Sequence, residues 1–170
     1  MRIMGIDAAL RTTGWCIFDD DVLVDFGKIQ TRDTQFRGDK REERNCYIIQ
    51  EIESVIDEYN IDILLLERSI YAKYTKSDGQ LHELNGMIKC LAFMKNIKFV
   101  RLFPSEVKRL VTGYGAAHKR VVSEYVQKQV PGAKRVGLFC DKNTLKKTSD
   151  IYDSIALVIA YKKLQENPNA

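Results

Sequence analysis

The sequence predicts an α/β fold in which a five-stranded mixed sheet carries helices on both faces. Three β-rich segments follow one another at the N-terminus, and after them apolar residues at helical spacing alternate with short apolar runs. Strands joined by short turns pair antiparallel, whereas strands separated by a helix pair parallel within one sheet. The first three strands are therefore predicted to be antiparallel, and the sheet as a whole is mixed.

Each element is predicted in chain order from its apolar pattern. Strands are expected at five places, which are residues 2–7, 13–18, 22–29, 61–66 and 97–103. Helices are expected at 48–59, 81–91 and 121–126, with a short one starting at Pro104 and a last one starting near Ser149.

Length and composition indicate one ordinary globular domain. The chain has 170 residues, of which 45% are hydrophobic and 29% charged, so we expect a single domain over residues 1–166 and a short polar tail at 167–170. The sequence contains no apolar run near the roughly 20 residues that span a bilayer, which predicts a cytoplasmic location. The cysteines stand singly, which favours reduced thiols over a zinc site or disulfides.

Basic residues cluster in one part of the chain. Residues 101–149 contain eleven Lys or Arg against three acids, whereas the first hundred residues contain 14 basic and 17 acidic side chains. Clustered positive charge indicates a surface that binds a polyanion, and solvated helix faces are the alternative explanation.

Four acids lie where the predicted elements could bring them together. Asp7 and Glu67 each end an apolar strand, while Asp150 and Asp153 lie three residues apart at the start of the last helix. That helix has an apolar stripe that would press it against the sheet, formed by Ile151, Ile155, Val158 and Ile159. Taken singly, each acid has an ordinary explanation: a turn cap, an ion pair such as Glu67 with Arg68, or a favourable helix dipole.

Four converging carboxylates require a counter-ion. Hard divalent cations prefer oxygen ligands, so the sequence predicts Mg²⁺, with two ions expected and Mn²⁺ as a substitute. Two such ions support hydrolysis of a phosphodiester bond.

The order of elements is the ribonuclease-H-like pattern, and several motifs resemble those of the RuvC Holliday junction resolvases. The similar segments are Met4-Gly5-Ile6-Asp7, Thr13-Gly14-Trp15, Leu64-Leu65-Leu66-Glu67, Pro104-Ser105-Glu106-Val107-Lys108, Val111-Thr112-Gly113 and Asp150 with Asp153-Ser154-Ile155-Ala156. The resemblance implies a metal-dependent endonuclease that acts on branched DNA, with Asp7, Glu67, Asp150 and Asp153 as metal ligands and catalytic acids.

The same resemblance implies further binding residues and a partner. Lys119 is a catalytic candidate and, with Lys108, a candidate contact to DNA phosphate. Arg109 and Arg120 of the basic cluster are further candidates for DNA binding. The resemblance also implies a homodimer, because a four-way junction is close to two-fold symmetric, with the helix that carries Leu84, Ile88 and Leu91 or its neighbours at the subunit contact.

The sequence departs from the family pattern at three places. Ala8-Ala9-Leu10 replaces a Pro-Gly turn after Asp7, and Ile70 occupies the position of a base-stacking aromatic, so Tyr71 and Tyr74 become the stacking candidates. His118 replaces an acid; a contact to phosphate is one explanation, and an exposed histidine without a specific role is the favoured one. The divergent, Lys-rich and compact form is compatible with a phage protein.

Three other functions are consistent with parts of the pattern. One is a ribonuclease-H-like nuclease that acts on RNA:DNA hybrids, forks or flaps. Another is an actin-like nucleotide binder, because residues 5–7 and 12–14 resemble a phosphate loop, although such proteins need two domains. The last is a junction-binding protein without catalysis, which would leave the four acids without a purpose.

Overall fold

A computed structural model describes residues 1–31, 36, 40–68, 76–138 and 145–167. The described strands are β1 (Arg2–Asp7), β2 (Thr12–Asp19), β3 (Val22–Gln30), β4 (Ile63–Glu67) and β5 (Lys98–Leu102). The described helices are α1 (Arg41–Tyr59), α2 (Lys76–Met94), α3 (Pro104–Thr112), α4 (Lys119–Gln129), α5 (Lys134–Leu138) and α6 (Leu145–Glu166), with a 3-10 turn at Pro131–Ala133. None of the helices in this part of the chain is long and apolar enough to cross a membrane.

The strands form one sheet in the order β3-β2-β1-β4-β5. The first three strands make an antiparallel meander, while β4 and β5 join β1 in parallel orientation. The predicted five-stranded mixed sheet is therefore confirmed.

Successive side chains of a strand point to opposite faces, and the two faces are covered by different helices. Met4 and Leu64 belong to an apolar cluster with α1 and α2, which we call the α1–α2 face. Ile3 and Leu65 belong to a second cluster with α3, α4 and α6, which we call the α6 face. The prediction of helices on both faces is confirmed.

The last helix begins at Leu145, one turn before the predicted start near Ser149. The additional turn carries polar residues, so no apolar periodicity marks it, and lysine is a good helix former. Asp150 and Asp153 consequently lie beyond the first turn of α6, and the explanation of this pair by a helix N-terminal dipole is wrong.

The sequence suggested α2 or its neighbours for a subunit contact, and the apolar residues that identify this helix in the sequence point inward. Leu84, Ile88 and Leu91 are all buried in the core of the α1–α2 face. The same helix exposes Phe93 and Met94, which are 82% and 73% accessible. A subunit contact through α2 must therefore use the opposite side of the helix.

Candidate active site

Asp7 and Glu67 end neighbouring parallel strands on the same face of the sheet. Asp7 is the last residue of β1 and Glu67 the last residue of β4, and the preceding residues Ile6 and Leu66 are paired in the sheet register. Both acids alternate with residues of the α6 face, so they project toward α6. The carboxyl ends of adjacent parallel strands thus bring these two acids to one edge of the sheet.

Two glycines allow α6 to lie directly on the sheet. A Cβ atom added to Gly5 in β1 would lie 2.3 Å from the carbonyl oxygen of Ser154, and one added to Gly14 in β2 would lie 2.3 Å from the carbonyl oxygen of Asp150. Any larger residue would push the helix away. The absence of side chains at these positions is what carries Asp150 and Asp153 to the end of β1.

Three carboxylates form a compact group at this position. Asp7, Asp150 and Asp153 each offer an oxygen, and these oxygens all lie within 4.8 Å of one another. All three residues are half-buried, and the Ser149 hydroxyl donates a hydrogen bond of 3.1 Å to Asp150. This arrangement of oxygen ligands could hold a divalent metal ion.

A cavity opens on the other side of Asp7. Its volume is about 310 Å³, and it is lined by Asp7, Ala8, Glu67, Arg68, Leu81, Asn85 and Pro104. Asp7 therefore belongs to both the group of three acids and the cavity, where it faces Glu67. Sequence reasoning did not identify Asn85, and it considered Arg68 only as an ion-pair partner of Glu67.

The electrostatics of the acids show that the charged cluster is costly without a cation. Burial raises the pKa of Asp7 well above its ordinary value, and repulsion by Asp153, Glu67 and Asp150 adds to this effect. Burial and the charge of Asp153 raise the pKa of Glu67. The pKa of Asp153 is also raised, mainly by burial.

Two lysines of the basic part of the chain act on this cluster. Lys119, the first residue of α4, forms an ion pair of 2.9 Å with Asp153. Burial opposes its charge, but the hydrogen bond to Asp153 and the attraction of Asp153, Asp7 and Asp150 outweigh burial and raise the pKa of Lys119. The charge of Lys108 lowers the pKa of both Glu67 and Asp153, so it too acts at the site.

His118 caps the helix that begins with Lys119. It is the N-cap of α4, where its Nδ1 accepts a hydrogen bond of 3.3 Å from the backbone N–H of Arg120. This exposed histidine therefore has a structural role as a helix cap. The signal available in the sequence was its position directly before an apolar-periodic segment.

The other predicted DNA contacts are more peripheral. Arg109 is exposed on α3, and Arg120 is exposed on α4 with an ion pair of 3.0 Å to Glu124. Tyr71 and Tyr74, proposed from the sequence for base stacking, lie outside the described residues, as does Ile70.

Two alternatives raised by the sequence are not supported by the geometry. The guanidinium of Arg68 lies over the ring of Phe103, and the cations that lower the pKa of Glu67 are Lys119 and Lys108. Gly14, part of the segment that resembles a phosphate loop, packs against the backbone of α6, where an added Cβ would lie 2.3 Å from the Asp150 carbonyl oxygen.

The loop after Asp7 is held by a buried threonine. The Thr13 hydroxyl accepts a hydrogen bond from the Ala9 N–H at 3.2 Å and donates one to the Ala9 carbonyl at 2.9 Å. Thr13 itself is fully buried. The Ala8-Ala9-Leu10 segment, which departs from the family pattern, is thus fixed to β2 through a side chain.

Comparison with known proteins by sequence matches this chain to RuvC proteins over most of its length. The family model described as crossover junction endodeoxyribonuclease RuvC matches residues 3–161. A RuvC from Caldicellulosiruptor saccharolyticus is 25% identical over 166 residues, which are 95% of this chain and 92% of that protein.

Solved structures of the same kind share the fold. The RuvC structure from Thermus thermophilus aligns with a TM-score of 0.75 at 17% identity and covers 100% of this chain and 98% of that one. The T. thermophilus RuvC in complex with a Holliday junction substrate aligns with a TM-score of 0.74 at 14% identity and covers 98% and 96%. The sheet order and the helices on both faces are thus those of the ribonuclease-H-like fold of these proteins.

Proposed function

Because the chain belongs to the RuvC family of crossover junction endodeoxyribonucleases, we propose that it resolves Holliday junctions by metal-dependent hydrolysis of phosphodiester bonds, giving paired nicks. The observation that carries the proposal is the group of three carboxylates within 4.8 Å, beside an open cavity that holds a fourth. A binding protein without catalysis would retain the electrostatic cost of this cluster for no purpose.

The ligands fit Mg²⁺, with Mn²⁺ as a substitute. Asp7, Asp150 and Asp153 supply only oxygen atoms and would hold one ion, and Asp7 with Glu67 would hold a second on the cavity side. Two ions, when bound, activate a water on one side of the phosphodiester and stabilise the leaving oxygen on the other. Burial, and after it the repulsion by the neighbouring acids, raises the pKa of Asp7; this supports the assignment, because a bound cation would stabilise the ionised carboxylate against both effects.

Basic residues on α3 and α4 bind the substrate in this proposal. Lys119 and Lys108 neutralise charge on the phosphate near the scissile bond, since both already act on the acids. Arg109 and Arg120 contact phosphates farther along the strand, where Arg120 would exchange its ion pair with Glu124 for DNA. Tyr71 and Tyr74 remain the stacking candidates.

We propose that the active species is a homodimer. A four-way junction presents two equivalent strands, and two sites related by a two-fold axis can cut both. Phe93 and Met94 at the end of α2 form an exposed apolar surface. Such a surface is consistent with a subunit contact on the outer side of α2.

The decisive experiment is cleavage of a labelled four-way junction by the wild-type chain and by Asp7→Asn, with Mg²⁺ and with chelator. We expect paired symmetric nicks from the wild type with Mg²⁺ only. The variant should lose cleavage by at least about a thousandfold and keep junction binding, because the substitution removes a ligand charge and little volume. Unchanged cutting by Asp7→Asn would refute the proposal.

Other substrates test the alternatives in the same experiment. A fork, a flap, an RNA:DNA hybrid and a linear duplex are compared at equal concentration. Equal cutting of fork and junction would make the chain a general branch nuclease, and cutting of the hybrid alone would make it a ribonuclease. Binding of the junction without any cleavage would support the non-catalytic alternative.

A further inference from the structure

We propose that Arg68, stacked on Phe103, forms a binding site for one backbone phosphate of the DNA strand that enters the acidic cavity. This inference rests on the proposed DNA substrate and adds a residue that family membership and sequence motifs did not indicate. It concerns positioning of the strand, and the hydrolytic step itself remains with the acids.

The structure fixes Arg68 at both its backbone and its side chain. Its backbone N–H donates a hydrogen bond of 2.8 Å to the carbonyl of Leu102, so the residue after Glu67 stays attached to β5. Its guanidinium carbon lies 4.4 Å from the centroid of the Phe103 ring. A cation–π stack of this kind holds the planar group in a defined orientation, with its N–H donors at the edge.

The charge of Arg68 is available to a ligand. Within the described part of the chain, the guanidinium makes no ion pair, whereas Lys119 is already engaged with Asp153 at 2.9 Å. Arg68 lines the cavity and is exposed, and Phe103 is 44% accessible, so the stack is open to solvent.

The surroundings of the stack explain why a phosphate is the fitting ligand. The cavity also contains the carboxylates of Asp7 and Glu67, which repel a phosphate diester unless a cation accompanies them. Arg68 is the basic residue among those that line the described cavity. A guanidinium offers two parallel donors to a phosphate, so it supplies orientation as well as charge.

The first test measures junction binding in chelator as a function of salt concentration. Arg68→Gln should weaken binding about tenfold, because a charge-assisted hydrogen bond is lost, and should reduce the slope of log K against log salt by about 0.9. Arg68→Lys should restore the slope without the full affinity, because lysine lacks the paired donors. Phe103→Leu should keep the slope and lower the affinity less than Arg68→Gln.

The chain offers a matched control in another arginine on a phenylalanine. Arg135 lies 5.8 Å from the Phe26 ring centroid and donates a hydrogen bond of 3.1 Å to the Leu23 carbonyl, at the opposite edge of the sheet. Arg135→Gln removes a similar contact and reports the effect of lost stability. In the methylphosphonate experiment below, the affinity of Arg135→Gln for the unmodified junction, divided by its affinity for the modified junction, should equal that of the wild type.

The second test locates the phosphate. A single methylphosphonate is placed in turn at each backbone position around the scissile bond. At one position it should weaken binding by the wild type, but not by Arg68→Gln. If no position shows this coupling, or if Arg68 couples instead to removal of a base, the phosphate site is wrong. Failure of wild-type cleavage would instead refute the proposed function.

Discussion

The two faces of the sheet are packed in different ways, and the difference explains where the site lies. On the α1–α2 face, helices and strands meet through full-sized side chains such as Ile52 and Leu64, which are completely buried. On the α6 face, Gly5 and Gly14 let the backbone of the helix touch the strands. A short aspartate on a helix reaches an aspartate at a strand end only if the two backbones are close.

The two faces also differ in what they contribute to stability. The α1–α2 face contains an apolar core in which burial is favourable. The α6 face also has an apolar core, but it ends in acids whose pKa values burial and mutual repulsion raise. Apolar burial on both faces therefore stabilises the fold, whereas the buried acids at the site destabilise it. Such a loss of stability is expected where function requires a strained arrangement of charges.

Among variants that test the packing of the two faces, the largest effect is expected from Gly14→Ala, which adds a side chain where the helix backbone touches the strand. The added Cβ would lie 2.3 Å from the Asp150 carbonyl oxygen, so α6 must move. We expect loss of cleavage by about a hundredfold or more, since a displacement of about 1 Å in a catalytic group has that effect, and destabilisation of about 3 kcal/mol. Single-turnover cleavage and denaturant unfolding measure the two effects.

Gly132→Ala is the matched control for this change. Its added Cβ would make an ordinary contact of 3.5 Å with the Leu23 Cβ. The cleavage rate should therefore remain that of the wild type. Normal cleavage by Gly14→Ala would show that close packing is not what positions the acids.

An intermediate effect is expected from Ile52→Ala on α1. This variant tests the α1–α2 face, where we expect a loss of stability without a loss of cleavage. Ile52 is completely buried in the core of the α1–α2 face, so truncation should cost about 2 to 5 kcal/mol of unfolding free energy. Well below the melting temperature, the single-turnover cleavage rate should be unchanged. The exposed neighbour Glu51→Ala serves as control and should change stability by less than about 0.5 kcal/mol.

If Ile52→Ala lowers the cleavage rate of fully folded protein as strongly as Gly14→Ala does, it is wrong that packing on the α6 face alone positions the acids. Circular dichroism at the assay temperature establishes that the variant is folded.

The smallest effect is expected in the melting temperature of Asp7→Asn, compared with that of the wild type in the absence of metal. The raised pKa of Asp7 means that its ionised form destabilises the folded state at neutral pH, so the variant should melt about 2 to 4 °C higher in chelator, which corresponds to about 1 kcal/mol. As the pH falls through the folded-state pKa of Asp7, the wild type takes up a proton and the difference should shrink.

Metal reverses this order of stability. Mg²⁺ should raise the melting temperature of the wild type more than that of Asp7→Asn, because binding to the folded state stabilises it by mass action. Thermal melts from pH 5 to 8, with chelator and with Mg²⁺, test both statements. A difference between wild type and variant that widens toward low pH would contradict the assigned cause.

Much of the fold followed from local patterns. Strand β1 was predicted with its observed ends at Arg2 and Asp7, because an apolar run that stops at a charge marks both the strand and its catalytic end. Glu67 followed from the same rule in β4. The start of α6 differs from the prediction because three of the first four residues of the helix are polar and show no apolar periodicity.

The sequence by itself determined which residues are buried and which acids end the strands, since alternation and charge are local properties of the chain. The apolar stripe of the last helix predicted that Asp150 and Asp153 approach Asp7. Only the tertiary structure decided how close these acids lie, that Glu67 lines a cavity beside them, and that Arg68 stacks on Phe103 instead of pairing with Glu67. These distances join residues far apart in the chain. They depend on how closely whole elements pack, which the glycines permit but no local pattern specifies.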